Sequence, residues 1–252
     1  CVYNSTDSVT QKLMQESVNT DTAQAVGFTL FTPAPNEIGW VEDILIDRAY
    51  VDSRDEATEL AQLSDLKNIP VISPHLLANT AAAAAIARGA GVQPEEIKKA
   101  LNEFSLDEHR IQLVLEKDGV RWIDDSKATN PHAASAALSS FDSVIWIAGG
   151  LLKGVDISAL VKKHAGILKA AIVIGVERTE VLSALANHAP DTQVFEITEQ
   201  SKIMDKVVEI AKSIAAPGDA VLLAPAAASM DQFVDYADRG NSFVAAVKKE
   251  VS

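Results

Sequence analysis

The residues from Arg110 onward predict an α/β chain built on a doubly wound, mainly parallel sheet, and three observations predict it. Apolar runs at Val144–Ala148, Ala170–Gly175, Val194–Ile197 and Ala220–Ala224 alternate with helical segments beginning near Pro131, Asp156, Thr179, Ser201 and Ser229. That alternation is the pattern of repeated βαβ units. Strands Ile111–Glu116 and Val120–Asp124 flank Lys117-Asp118-Gly119, a hairpin turn because Asp-Gly tolerates the positive φ required. The strand Val120–Asp124 then leads to Asn130-Pro131 and the helical run His132 to Leu138. Asn before Pro starts helices, and such strand-end-to-helix junctions are where α/β sheets open a ligand crevice.

Before Arg110 the pattern is mixed. Ser8 to Val18 reads as a helix, and Ala25 to Phe31 and Ile38 to Val51 as strands, broken by Thr32-Pro33-Ala34-Pro35-Asn36. His75 to Arg88 is alanine-rich with few breakers. Pro94 to Phe104 follows Gly91 with Pro at its first turn and acids next, as helix starts prefer. Ser105-Leu106-Asp107-Glu108-His109 interrupts, and the expected boundary there gives one domain over 1–107 and a second, Rossmann-like, over 108–252. Leu30 to Leu66 carries no assignable chemistry and is expected to be a variable surface.

Composition bounds the function. A chain of 252 residues that is 48% hydrophobic is long enough for two cores. A net charge of −13 argues against a nucleic-acid or anionic-membrane partner, either of which needs a basic patch. One cysteine makes no intramolecular disulfide, which suits a reducing compartment. A leading Cys1 with the polar Asn4, Ser5, Thr6 and Asp7 also fits a lipidated, exported protein. Against that, Cys1, Val2 and Tyr3 suit a buried strand, and no apolar run reaches the ~18–20 residues of a membrane span.

Two words carry the chemistry. Asp124-Asp125-Ser126-Lys127-Ala128-Thr129-Asn130-Pro131 packs acids, a base and hydroxyls into a strand end. Leu222-Leu223-Ala224-Pro225-Ala226-Ala227-Ala228-Ser229-Met230-Asp231-Gln232-Phe233 precedes Tyr236, Arg239-Gly240 and Phe243. Both resemble the C-terminal domain of the Mur ligase family, in the wording of members that add D-glutamate to UDP-N-acetylmuramoyl-L-alanine. The resemblance extends, more weakly between the words, over essentially the whole chain. It implies an ATP-dependent, ADP-forming amide ligase of peptidoglycan precursor synthesis, cytoplasmic and monomeric, acting through an acyl phosphate. Family members have three domains, and no G-x-x-x-x-G-K-[ST] phosphate loop occurs here. Cys1-Val2-Tyr3-Asn4 resembles a strand from the middle of the central ATPase domain. The expectation is therefore a piece of such a ligase: the last part of the central domain and all of the C-terminal one, inactive alone. The cofactors implied are ATP and Mg²⁺, with no metal ligand among these residues.

The resemblance assigns roles residue by residue. Asp125 stands where the family carboxylate accepts hydrogen bonds from the ATP ribose; the other reading is a helix-capping or solvated acid. Arg110 matches an arginine near the nucleotide, or else makes a hinge salt bridge. Asn4 aligns with an asparagine that reads adenine. Lys127, the catalytic candidate, and Thr129 fall near the phosphates and the incoming amino acid. Lys153, after Gly149-Gly150, matches the lysine that holds the acceptor carboxylate, a task that requires a cation; a lysine in a polar loop is otherwise a solvated charge. Ser229 is expected to cap the last helix and to bind the second carboxylate of D-glutamate. Tyr236 replaces the usual Phe against the substrate. His75 and Asn79 resemble a His-Asn-x-x-Asn turn in which Leu76 replaces the first Asn, so a structural role for His75 stays open.

Other classes remain in view. One is a stand-alone nucleotide- or amino-acid-binding regulatory module. A second is a dinucleotide-dependent oxidoreductase, which the missing G-x-G-x-x-G after a first strand disfavours. A folyl-polyglutamate synthetase relative is disfavoured by the Lys127-Ala128-Thr129-Asn130 wording.

Overall fold

A computed structural model describes residues 1–17 and 24–252. It divides into two compact units, Cys1–Ser105 and Leu106–Ser252.

The first unit carries a five-stranded sheet in the order of the chain: β1 (Val2–Asn4), β2 (Val26–Phe28), β3 (Glu37–Val41), β4 (Ile44–Asp47) and β5 (Thr58–Gln62). β1, β2 and β3 are parallel, and β3, β4 and β5 antiparallel. Helix α1 (Ser8–Ser17) follows β1; Val18, the expected end of that helix, lies outside the described residues. Helices α2 (Pro74–Gly89) and α3 (Pro94–Glu103) start on Pro, with Ser73 capping α2 and a Gln93–Glu96 capping box at α3.

Two expectations fail in this unit. Ile38 to Val51 is not one strand but the hairpin β3–β4, because the chain turns at Glu42, which has a φ of 53°. It turns again after β4, where the buried Asp47 carboxylate accepts from the N–H groups of Ala49 and Tyr50 at 2.8 and 2.9 Å. Nor is Leu30 to Leu66 a surface: it supplies β3, β4 and β5, and Ile38, Trp40, Leu45, Leu60 and Ala61 are buried in the core with Ala81 and Ala85 of α2. Trp40 Nε1 donates to the carbonyl of Leu77 at 3.0 Å, satisfying its one polar atom inside that core.

The second unit holds a six-stranded sheet. Its strands are β6 (Gln112–Lys117), β7 (Val120–Asp124), β8 (Val144–Gly149), β9 (Leu168–Ile174), β10 (Gln193–Glu196) and β11 (Ala220–Leu223), in the spatial order β10-β9-β8-β11-β7-β6. Only the β6–β7 pair is antiparallel; the other pairs are parallel. Asp118 and Gly119, with φ of 52° and 74°, make the two-residue turn that Asp-Gly foretells. Helices α4 (Pro131–Leu138), α5 (Ser158–His164), α6 (Thr179–His188) and α7 (Ile203–Ile214) connect successive parallel strands, and α8 (Tyr236–Glu250) ends the chain. All six residues of β8 are buried, as a strand covered on both faces requires. The core joins Trp122, Ile145, Ile147, Ile172, Val221 and Leu223 to Phe243 and Val247 of α8. Each such side chain contributes about 1.5–3 kcal/mol by leaving water.

The chain leaves β7, builds β8, β9 and β10 outward on one side, then returns to place β11 between β8 and β7. The crevice of such a sheet opens where the strand order reverses, beyond the carboxyl ends of β7, β8 and β11. No helix of the described residues is long and apolar enough to cross a membrane.

Candidate functional site

Three loops meet beyond those strand ends, and backbone hydrogen bonds stitch them together. The β7–α4 loop joins the β11–α8 loop through Ala226 N to Ala128 O at 3.0 Å, and Asp125 N donates to Leu223 O at 2.9 Å. The β8–α5 loop joins the same segment through a two-way bridge, with Leu151 N to Ala228 O at 2.9 Å and Ala228 N to Leu151 O at 3.0 Å. That approach requires glycine. Gly150 has a φ of 128°, and a Cβ there would lie 2.3 Å from the carbonyl oxygen of Ala228. The bridge sets Lys153 and Ser229 two residues and one residue beyond paired backbone positions on neighbouring loops.

A buried clamp holds the β7–α4 loop. Arg239, fully buried on α8, donates from Nε to Ser126 Oγ at 2.9 Å, from Nη2 to Ser126 O at 2.8 Å and from Nη1 to Ala227 O at 3.1 Å. One guanidinium therefore binds both signature words. Burial lowers its pKa to about 10, which leaves it charged at neutral pH. Ser126 Oγ donates to the carbonyl of Tyr236 at 2.7 Å. Beside the clamp, His109 Nδ1 and Asp124 Oδ2 are 2.7 Å apart, both groups buried. Burial pushes the Asp124 carboxyl above its ordinary range, against the pull of His109 and the Ser126 N–H. Gly240 packs against this pair so closely that a Cβ would stand 2.2 Å from His109 Nδ1.

Asp125 is buried rather than solvated. Its Oδ1 accepts from the N–H of Ile111 at 3.2 Å, and its Oδ2 meets no donor among the described residues. Burial, with Asp124 adjoining it, raises its pKa to about 7. It does not cap α4; Asn130 does, accepting from Ala133 N at 3.0 Å. The segment 109–111 is knitted to the same motif, with Lys127 N donating to His109 O at 3.1 Å. His109 and Ile111 there have φ of 64° and 44°. Positive φ on a β-branched residue is strained backbone, the kind that surrounding contacts must enforce. Arg110, between them, is exposed and pairs with Asp107 at 3.6 Å, a solvated pair worth little on its own.

Lys127 places Nζ 3.7 Å from the centroid of the Tyr236 ring. The tyrosine hydroxyl makes no hydrogen bond to the described residues. Thr129 is half-buried in the same loop, and Lys153 is exposed, in the left-handed region with φ of 54°. Ser229 is buried but does not cap the last helix as expected. Its carbonyl accepts from Gln232 N and Phe233 N at 3.1 and 2.9 Å. Asp231 and Gln232 meanwhile reach the end of β9, accepting from Val176 N and Gly175 N at 2.8 and 2.7 Å. These side-chain bonds keep the segment in turns until Asp235, which caps α8 by accepting from Asp238 N at 2.8 Å.

The remaining candidates lie in the first unit. Asn4 ends β1 with its Oδ1 accepting from Thr6 N and Thr6 Oγ1 at 2.9 and 2.8 Å. His75 is the second residue of α2 and lies beside the Ser73 hydroxyl, while Leu76 is buried and Asn79 exposed. Among the described residues no group of three or more His, Cys, Asp or Glu is arranged to hold a metal ion. Sequence reasoning missed His109, Asp124, Ser126 and Gln232 as site-building residues. It noted Arg239-Gly240 without a role; an arginine in an otherwise amphipathic helix, followed by a glycine, was the available signal.

Known proteins resemble this chain in sequence and in fold. A family model described as "Mur ligase, glutamate ligase domain" matches residues 109–227. The UDP-N-acetylmuramoylalanine--D-glutamate ligase of Leifsonia xyli subsp. xyli is 48% identical over 99% of this chain and 49% of its own length. The enzyme of that name from Streptomyces coelicolor is 45% identical over 99% of the chain and 53% of its length. The chain thus spans about half the length of the curated relatives it matches. Among solved structures, MurF from Acinetobacter baumannii superposes with a TM-score of 0.61 at 15% identity, covering 99% of this chain and 52% of that one. UDP-N-acetylmuramate-alanine ligase MurC from Thermotoga maritima gives 0.56 at 14%, over 89% and 48%; both show the fold. With both signature words on adjacent strand ends and relatives this similar along its length, the chain carries a domain of the Mur ligase family over residues 109–227.

Proposed function

We propose that this chain carries the amino-acid-accepting part of a ligase that joins D-glutamate to UDP-N-acetylmuramoyl-L-alanine with ATP. The observation that supports it is the Leu151–Ala228 bridge, which brings a lysine loop and a serine turn together beyond one sheet edge. A dicarboxylic amino acid needs two such anion contacts. In this reading Lys153 pairs one carboxylate through a charge-assisted hydrogen bond, and Ser229 donates its hydroxyl to the other. Thr129 lies on the neighbouring loop as a further hydroxyl, and the Tyr236 ring walls the carbon chain.

ATP fits the residues present. Asp125 keeps one carboxyl oxygen free of protein donors, as a partner for ribose hydroxyls needs. Arg110 is the other proposed nucleotide contact of the second unit. ATP with Mg²⁺ supplies the phosphoryl group that activates the alanyl carboxylate, with ADP and phosphate released. The metal's ligands are proposed to belong to the part of the ligase that this chain does not span. Lys127 stabilises negative charge where the amine of D-glutamate attacks the activated carbonyl.

The test is calorimetric titration of the chain with D-glutamate, L-glutamate and ATP–Mg²⁺, in wild type and Lys153→Ala. It runs beside a chimera in which these residues replace the matching half of the Leifsonia xyli enzyme. The expected result is a preference for D-glutamate that Lys153→Ala weakens by about 10–100-fold, the range of one charged hydrogen bond. Normal D-glutamate turnover in the Lys153→Ala chimera would overturn the assignment.

A further inference from the structure

Lys127, half-buried in the second unit, touches an aromatic ring and no carboxylate among the described residues. Lys169 meets Asp219 at 2.5 Å and Arg178 meets Glu196 at 2.7 Å. No ion pair among the described residues includes Lys127. Its ammonium lies instead on the face of the Tyr236 ring, at 3.7 Å from the centroid, where the ring quadrupole attracts a cation.

The ring is itself fixed. Tyr236 opens α8, whose cap is Asp235, and its carbonyl accepts from Ser126 Oγ at 2.7 Å. The His109 ring meets it edge to face, with centroids 6.2 Å apart at 79°. Ser126 immediately precedes Lys127 and is gripped by Arg239. Ring and ammonium are thus mounted on one clamp, and the contact between them is not an accident of two free side chains. The chemistry of the pairing matters: a carboxylate in the ring's place would neutralise Lys127 and compete with any anion entering the crevice. A neutral π face holds the amine without consuming its charge.

We propose that Tyr236 is a positioning residue for Lys127, holding the free ammonium on its ring so that it awaits a carboxylate or acyl-phosphate oxygen with its charge unpaired. The use to which the amine is put rests on the ligase reading; the holding does not.

The experiment uses the chain labelled with ¹³C-lysine. The Lys127 ε-methylene signal is assigned by its disappearance in Lys127→Arg. Ring current should move that signal upfield of every other lysine. The shift should persist in Tyr236→Phe and collapse to the ordinary position in Tyr236→Leu. The Lys169 signal, set by the distant Asp219 pair, should stay in place in both variants and so certify the fold. In the chimera, Tyr236→Leu should raise KM for D-glutamate about 3- to 10-fold, the range of one cation–π contact. The NMR arm needs no ligand, so it decides the holding of Lys127 even if the calorimetry overturns the ligase reading. A Lys127 signal without an upfield shift in the wild type, or one that keeps its shift in Tyr236→Leu, would overturn the proposal.

Discussion

Replacing Asp125 with Asn should stabilise the second unit at neutral and alkaline pH, by an amount that grows with pH. The Asp125 pKa rises from 3.8 to about 7 on folding, chiefly by burial. At about 1.4 kcal/mol per pKa unit this is roughly 4 kcal/mol of lost stability once the folded carboxyl is ionised. Because the folded value lies above the unfolded one, the native state keeps the proton between about pH 4 and pH 7 while the unfolded chain releases it. This group's contribution is therefore fully present below about pH 4 and declines as pH rises through 7. Asn keeps an acceptor for the Ile111 N–H and carries no charge to desolvate. The advantage of the variant should grow by about 3 kcal/mol between pH 5 and pH 8. Urea melts at both pH values measure it. A background Trp40→Phe change removes the tryptophan of the first unit and leaves Trp122 and Trp146, both buried in the second, as reporters. With an m-value of about 2–3 kcal/mol/M, the added shift in midpoint is about 1–1.5 M. A gain that does not change with pH, or a loss of stability at pH 8, would refute the reasoning.

Two further substitutions probe the clamp. Gly240→Ala puts a methyl group 2.2 Å from His109 Nδ1 and 2.8 Å from Asp124 Oδ2, so it should cost about 1–3 kcal/mol by overpacking; the urea midpoint of the second unit reads this, and His109→Ala in the same chain should recover part of it. Arg239→Lys keeps a charge but loses the planar fork that serves Ser126 and Ala227 together; a loss of about 2–4 kcal/mol at pH 7 is expected by thermal or urea melting, because buried carbonyl oxygens are left unpaired.

The sequence made the second unit legible strand by strand because each buried parallel strand is a run of apolar residues bounded by breakers, as at Val144–Gly149. It hid the β3–β4 hairpin because its turn, at Glu42 and Asp43, uses no Gly, Pro or Asn. It misplaced the start of α8 at Ser229 because the bonds that delay the helix run from Asp231 and Gln232 to a strand far away in the chain. The same limit applied to the site. Asp125, Lys127 and Lys153 stood out because the words around them resemble those of the Mur ligase family. The His109–Asp124 pair and the grip of Arg239 on Ser126 did not, since each joins residues whose adjacency exists only once the sheet is assembled.

The position of β11 has a consequence for how the polypeptide is made. β11 is synthesised after both β7 and β8, yet it occupies the gap between them. About seventy residues separate the end of β8 from the start of β11. At synthesis rates of roughly 5–20 residues per second the gap stays open for roughly 4–14 s. During that time two unpaired strand edges face each other in the emerging chain, open to pairing with the wrong partner. A ribosome that stalls or terminates before Ala220 therefore releases an aggregation-prone sheet. The crevice that would bind an anion is created only once β11 has emerged and closed that gap.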